Sequence, residues 1–200
     1  LGVVKNEPRK TRKARKEYWG GGMMKAYPKY RNSGVPWLGD VPEHWDLKRN
    51  KVFFTERKEI VGDRHSEHKL LSLTLKGIIY RDLENAKGKS PADFSTYQTV
   101  HPDDFVFCFF DVDETPRTVG LSTLSGMITG AYTVLSTKGI NPKYLYYYYL
   151  CIDNRKGLRP LYKGLRKTVP FDAFMASKLP IPTEDEQQQI SRYLDWQTSK

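Results

Sequence analysis

Two cysteines in 200 residues are too few for a disulfide framework. Cys108 sits inside the apolar run FVFCFF and Cys151 in the tyrosine-rich run YLYYYYLCI, so both are expected as small buried hydrophobes. That second run, Tyr144 to Ile152, is the longest apolar stretch, and it falls well short of the roughly 18 residues that cross a bilayer. Nothing at the N-terminus has the pattern of a secretory signal. These gaps argue against a membrane-spanning helix and a secreted disulfide scaffold; a cytoplasmic protein without membrane association is expected.

Reactive motifs are scarce too. There is no Gly-rich phosphate loop, nucleophile elbow or dinucleotide-type strand-turn-helix. Glu56-Arg57-Lys58 imitates half of a metal-dependent nuclease site, with Asp40 or Asp46 as an upstream carboxylate. Such spacing arises readily by chance where 28% of residues are charged. Asn141-Pro142-Lys143-Tyr144 resembles the Asn-Pro-Pro-Tyr motif of amino-methyltransferases, but its third residue is wrong and a helix cap explains it with less. His65 and His68 are three apart, and no cysteine or carboxylate set completes a metal site around them. A non-catalytic chain with no metal or cofactor of its own is expected.

What the sequence does hold is core-forming residues and positive charge. With 38% hydrophobic and 13% aromatic residues it can build one domain and an extension. The formal charge of +10 divides evenly: residues 1–22 carry seven Lys/Arg against Glu7 and Glu17, leaving 26 basic and 21 acidic side chains downstream. Residues 1–23 read as a flexible basic leader outside the domain. They are expected to be upstream sequence ahead of a translation start at Met23-Met24, or else a phosphate-binding arm.

From Tyr27 the chain is punctuated by Pro28, Gly34, Pro36, Gly39 and Pro42, which predicts extended segments and turns, with Tyr27, Tyr30, Trp37 and Trp45 clamping them to the body. Residues 47–59 tend toward a short amphipathic helix. KLLSLT, GIIYR, DFVFCFF and GAYTVLS have strand composition, Asn141-Pro142 caps a helix, and PFDAFMAS is a short helix. The expected fold class is α/β (mixed), with short mixed or antiparallel strands and helices. LPIP (Leu179 to Pro182) must be extended, and Thr183-Glu184-Asp185-Glu186 fits a capping box opening a helix. Gln187, Ile190, Leu194 and Gln197 form one stripe on that helix, with Tyr193 beside it, a pattern suited to its own domain or to a partner helix.

The binding chemistry expected is cationic. Lys76, Arg81, Lys87, Lys89 and Arg117 lie in predicted turns and loops, and Arg155, Lys156, Arg159, Lys163, Arg166 and Lys167 place six cations in thirteen residues without an acid. Arg forks onto guanine edges and Lys neutralises phosphate, so Lys76, Arg81, Lys87 and Lys89 and the whole of the second group are expected to bind DNA.

Two segments carry a resemblance to a family. YPKYRNSGVPWLGDVPEHWDLKR (Tyr27 to Arg49) and LPIPTEDEQQQISRYLD (Leu179 to Asp195) resemble the specificity (S) subunit of Type I restriction–modification enzymes. The second is similar to that family's junction between a target recognition domain and a spacer helix, commonly Leu-Pro-x-Pro-Pro-x-x-Glu-Gln. Here Thr183 replaces the second adjacent proline, while Glu186 and Gln187 match. The resemblance covers residues 24–200 and is looser between the two motifs. It implies a target recognition domain over 24–182 and, over 183–200, the start of a long spacer helix of coiled-coil type that pairs through Gln187, Ile190, Tyr193 and Leu194.

It further implies that the chain reads one half of a bipartite double-stranded DNA target without catalysing anything. The implied partners are methylation (M) subunits, a restriction (R) subunit and a second target recognition domain, supplied by the same chain or by dimerisation. S-adenosylmethionine, ATP and Mg2+ belong to the holoenzyme. Two alternatives stay open: the recognition end of a fused restriction–methylation enzyme, and an assembly or regulatory protein that binds no DNA.

Overall fold

The computed structural model describes residues 18–19, 22–23, 26–81, 94 and 96–200. Lys87 and Lys89 lie outside them, as does most of the leader, of which Tyr18–Trp19 (β1) pairs with Gly22–Met23 (β2). The centre of the fold is an antiparallel sheet of four strands. Its order is β11 (Val119–Leu121), β10 (Phe105–Phe107), β13 (Thr133–Thr137) and β6 (Phe54–Glu56).

This sheet is covered on both faces, which is why DFVFCFF reads as a continuous apolar run rather than an alternating one. Phe54, Phe105, Phe107 and Leu135 point to one side, against Leu145 and Tyr149 of α1 (Pro142–Asn154) and Phe174 of α2 (Phe171–Ala176). Val106 and Val134 point to the other. There they meet Leu71 of β7 (Leu71–Thr74), Ile78 of β8 (Gly77–Tyr80), Val100 of β9 (Gln98–Val100) and Ile128 of β12 (Gly126–Ile128). Close approach of the β7–β8 hairpin depends on Gly120, where a Cβ would lie 2.7 Å from Leu73 Cδ1. The mixed strand–helix fold class is as expected, although β9, β11 and β12 were not anticipated, each being a triplet too short to register as a strand and the last two containing glycine.

Near the N-terminus, β3 (Tyr30–Asn32) and β4 (Asp40–Pro42) form a hairpin, and β5 (Asp46–Arg49) pairs antiparallel with β14 (Lys178–Ile181). LPIP is therefore extended because it is one strand of a two-stranded ribbon, and α3 (Glu184–Thr198) starts directly after it.

Two local expectations are corrected. Residues 47–59 do not form a helix: β5, a 3-10 turn at Asn50–Val52 and β6 take their place. Asn50 is fully buried, with its amide bonded to Ser177 O and its side chain to Phe174 O and the Tyr149 hydroxyl, so tertiary partners override the helical periodicity. Cys108 is buried as expected and its thiol is pushed up by that burial, but Cys151 is exposed, turned away from the face of α1 that carries Tyr149 and Ile152. No helix among the described residues is long and apolar enough to cross a membrane.

Candidate nucleic-acid interface

The segment after α1 is built around a buried carboxylate. Asp153, 5% exposed in the last turn of α1, accepts from the Thr118 amide (3.1 Å) and hydroxyl (2.6 Å), from Arg117 Nη1 (2.9 Å) and from Lys156 Nζ (2.9 Å). A buried charge is tolerated only when paired and hydrogen-bonded, and this one is both. Lys156 also donates to Thr115 O and keeps only 19% of its side chain exposed. Lys156 thus faces inward as a partner of Asp153, a correction to its reading as a DNA-facing cation, and Arg117 is held by the same carboxylate.

The rest of the basic run meets acids from a distant part of the chain. Arg159 Nε lies 3.0 Å from Asp113 Oδ1, Arg166 Nη2 2.8 Å from Asp111 Oδ2, and Lys167 Nζ 3.1 Å from Asp113 Oδ2 and 2.9 Å from Glu114 Oε1. Hydrogen bonds from Arg159 and Lys167 lower the Asp113 carboxyl, and those that Arg166 and Lys167 donate to the same acidic segment raise their own pKa. The acid-free run in sequence is an ion-pair network in space. Arg155 and Lys163 are its exposed cations with no ion-pair partner among the described residues.

The second expected group sits elsewhere. Lys76 is exposed in the β7–β8 turn, and Arg81, half-buried, follows β8 with its amide on Leu70 O. Beside them Lys69 Nζ lies 5.0 Å from the Tyr80 ring centroid, and Leu75 and Ile79 are exposed. This hairpin packs on the Val106 face of the sheet, whereas α1 and its following loop belong to the Phe107 face. Lys76 and Arg81 therefore belong to the hairpin side of the central sheet, and the Arg155 to Lys167 segment to its helix side.

Helix α3 docks on α1 through a stripe that apolar periodicity did not identify. Gln187 is buried: its Oε1 accepts from the Asn141 amide (3.0 Å) and its Nε2 donates to Pro182 O (3.0 Å). Ser191 is buried one turn on, and Asp195 takes Lys143 Nζ and the Tyr147 hydroxyl, each at 2.7 Å. Lys143 accordingly raises and Asp195 lowers its pKa. Gln187 therefore serves its own domain, correcting its assignment to helix pairing; Ile190, Tyr193 and Leu194 are half-buried on the flank of this polar seam.

The start of α3 is tied to the N-terminal segment. The capping box is present as the sequence implied: Thr183 Oγ1 accepts from the Glu186 amide, and Glu186 Oε2 accepts from the Thr183 amide at 2.9 Å. Glu186 Oε1 additionally meets His44 Nε2 at 2.9 Å and accepts from Trp45 Nε1 at 3.2 Å. Burial pushes the Glu186 carboxyl up, but the bonds from His44, Thr183 and Trp45 outweigh it and hold it at about 2.

No group of three or more His, Cys, Asp or Glu that could hold a metal occurs among the described residues. Grooves of about 370 and 440 Å³, the first beside Asn141 and Gln187 and the second between Trp37, Leu161 and Ala173, contain neither a histidine nor a cysteine.

No family model and no curated protein matches the sequence. Solved structures do. The S subunit of a Type I restriction-modification system from M. genitalium is similar with a TM-score of 0.51 and 13% identity, over 80% of this chain and 41% of that one. A chain from a structure addressing complex assembly and conformational transition of the type I R-M system has a TM-score of 0.52 and 14% identity, over 85% and 41%. The HsdS subunit from Thermoanaerobacter tengcongensis aligns over 84% and 39% with 14% identity and a TM-score of 0.48. The fold is thus shared with the M. genitalium S subunit and with that chain of the type I R-M assembly, and this chain spans about two fifths of the length of each.

Proposed function

We propose that this chain is a target recognition domain of a Type I restriction–modification specificity subunit, reading one half of a bipartite DNA target without catalysing a reaction. The observation that carries this reading is the fold shared with Type I S subunits over 80–85% of the chain. The two end motifs support it from an independent direction, since β5 and β14, which they contain, are paired in space.

In this reading the exposed cations hold the DNA backbone: Arg155 and Lys163 directly, and Arg159, Arg166 and Lys167 by exchanging carboxylate for phosphate partners. Lys76 and Arg81 offer a second contact from the hairpin layer. A methylation subunit, with its S-adenosylmethionine, and a restriction subunit, with ATP and Mg2+, supply the chemistry. The flank of α3 that carries Ile190 and Leu194 faces a helix of the second recognition unit.

The test is binding of the chain to duplex DNA across salt concentrations. A reader using several Lys and Arg loses affinity steeply, on the order of a hundredfold or more between 50 and 200 mM salt. Arg166→Ala with Lys167→Ala lowers affinity and flattens the salt slope by about two, with thermal unfolding unchanged. Salt-independent binding, or unchanged affinity in the folded double variant, contradicts this assignment.

A further inference from the structure

The turn closing the basic segment has a feature that charge does not account for. Leu165 has a relative exposure of 102%, the largest among the exposed large hydrophobic residues of the described chain. It touches nothing it could be stabilising within the domain. A single exposed leucine is ordinary on a protein surface, and the setting of this one is not.

Leu165 is held out on a turn fixed at both limbs. Lys163 and Thr168 exchange backbone hydrogen bonds, N to O at 2.9 and 3.1 Å, forming an isolated antiparallel bridge beneath the tip. Gly164 (φ 67°) and Lys167 (φ 45°) take the left-handed conformation that closes so tight a loop, the second at a residue type that rarely adopts it. From below, Asp111 N donates to Arg166 O at 3.0 Å and Val169 N to Phe109 O at 2.8 Å, tying the turn to the end of the strand region.

The charged neighbours of Leu165 are turned aside in the same way. Arg166 folds back onto Asp111 and lies 5.7 Å from the Phe110 ring centroid, and Lys167 is drawn onto Asp113 and Glu114. The acidic segment thereby strips the tip of competing side chains and leaves an apolar point, with unpaired Lys163 at its base. A pre-ordered apolar side chain beside one unpaired cation and a set of exchangeable ion pairs suits the surface of an anionic polymer with apolar features between its charges. Duplex DNA is that surface, since thymine methyls and stacked base faces lie in grooves lined by phosphate.

The geometry points to Leu165 as an apolar wedge pressed against the bases of duplex DNA, contributing sequence preference where the surrounding cations contribute only affinity. This rests on the DNA-reading function proposed above. Because the turn is already ordered, docking the wedge costs little conformational entropy. The acids set the geometry as well as the charge: without Asp111 the Arg166 side chain is free to cover the tip.

Wild-type chain is taken through selection on duplexes with a randomised stretch, and the enriched duplex and a scrambled version become the two probes. Leu165→Ala is expected to lose about tenfold on the enriched duplex. On the scrambled duplex it binds as wild type does, with the same salt slope and thermal unfolding, and Leu165→Met recovers most of the lost preference. Equal affinity for the enriched duplex, or an equal loss on both duplexes, overturns the wedge while leaving the DNA-reading function standing. If wild type enriches no sequence and its binding ignores salt, the function itself fails. If instead Leu165→Ala keeps full DNA preference but loses capture of a methylation subunit, the tip belongs to a protein interface and the wedge is overturned.

Discussion

Asp153 shows how one residue reassigns its neighbours. In sequence it closes a tyrosine-rich run and draws no notice, while Lys156 counts as one of six cations in a loop. In space it gathers Thr118, Arg117 and Lys156 about a carboxylate that is 5% exposed. Asp153→Ala leaves two half-buried cations without a counter-charge and the Thr118 amide without a partner, so unfolding free energy falls by about 3 kcal/mol. Asp153→Asn keeps an acceptor for Thr118 and costs about half as much. Urea unfolding of the two variants checks the order. An equal loss for asparagine and alanine would mean that the charge holds the site and that the retained acceptor contributes nothing.

At the scale of elements, short-range features were legible and long-range ones were not. The Asn141 cap, the extended LPIP and the Thr183–Glu186 box need only a few adjacent residues, and all three are present. The partners that decide their environment come from far away. His44 and Trp45 reach Glu186 across more than 140 residues, and Asn50 turns an apparent helix into strand and turn through contacts with α1 and α2. Of the polar seam between α1 and α3, Gln187 lay on the expected stripe, whereas Ser191 and Asp195 were missed because they carry no hydrophobic signal, though the spacing of four is helical.

The Glu186 junction has a pH signature. Its folded pKa of about 2 is depressed from 4.5, so its carboxylate contributes stability that is complete above about pH 4.5 and is lost as pH falls toward 2. The contribution is on the order of 2 kcal/mol, since the side chain is largely but not wholly shielded from solvent. Glu186→Gln removes this dependence. The stability difference between wild type and variant should therefore shrink between pH 5 and pH 2, read from denaturant midpoints at each pH. A difference that stays constant over that window would mean that the carboxylate titrates alike in the folded and unfolded chain.

For the whole molecule, net charge was a poor guide to where charge is available. The body carries an excess of basic residues, yet Asp111, Asp113 and Glu114 meet three of the six cations in the densest basic segment, and Lys76 and Arg81 lie on another layer. Local composition cannot report a partner some fifty residues distant. If the chain reads DNA as proposed, a surface tempered in this way should bind any one segment weakly and gain from being paired. The chain spans about two fifths of the S subunits that share its fold, which leaves room in them for a second unit. If α3 continues toward such a unit, the distance between two readers is fixed by helix length, at about 1.5 Å per residue. Two copies joined covalently beyond α3 should then bind a duplex with two enriched half-sites 10²- to 10⁴-fold tighter than the single chain binds one. The gain should peak at one separation of the half-sites and collapse when base pairs are added, because a rigid spacer cannot track them. Competition binding over a series of spacings measures this. A gain that is flat across the series would mean that a flexible tether joins the readers, and α3 would then have no part in setting the target.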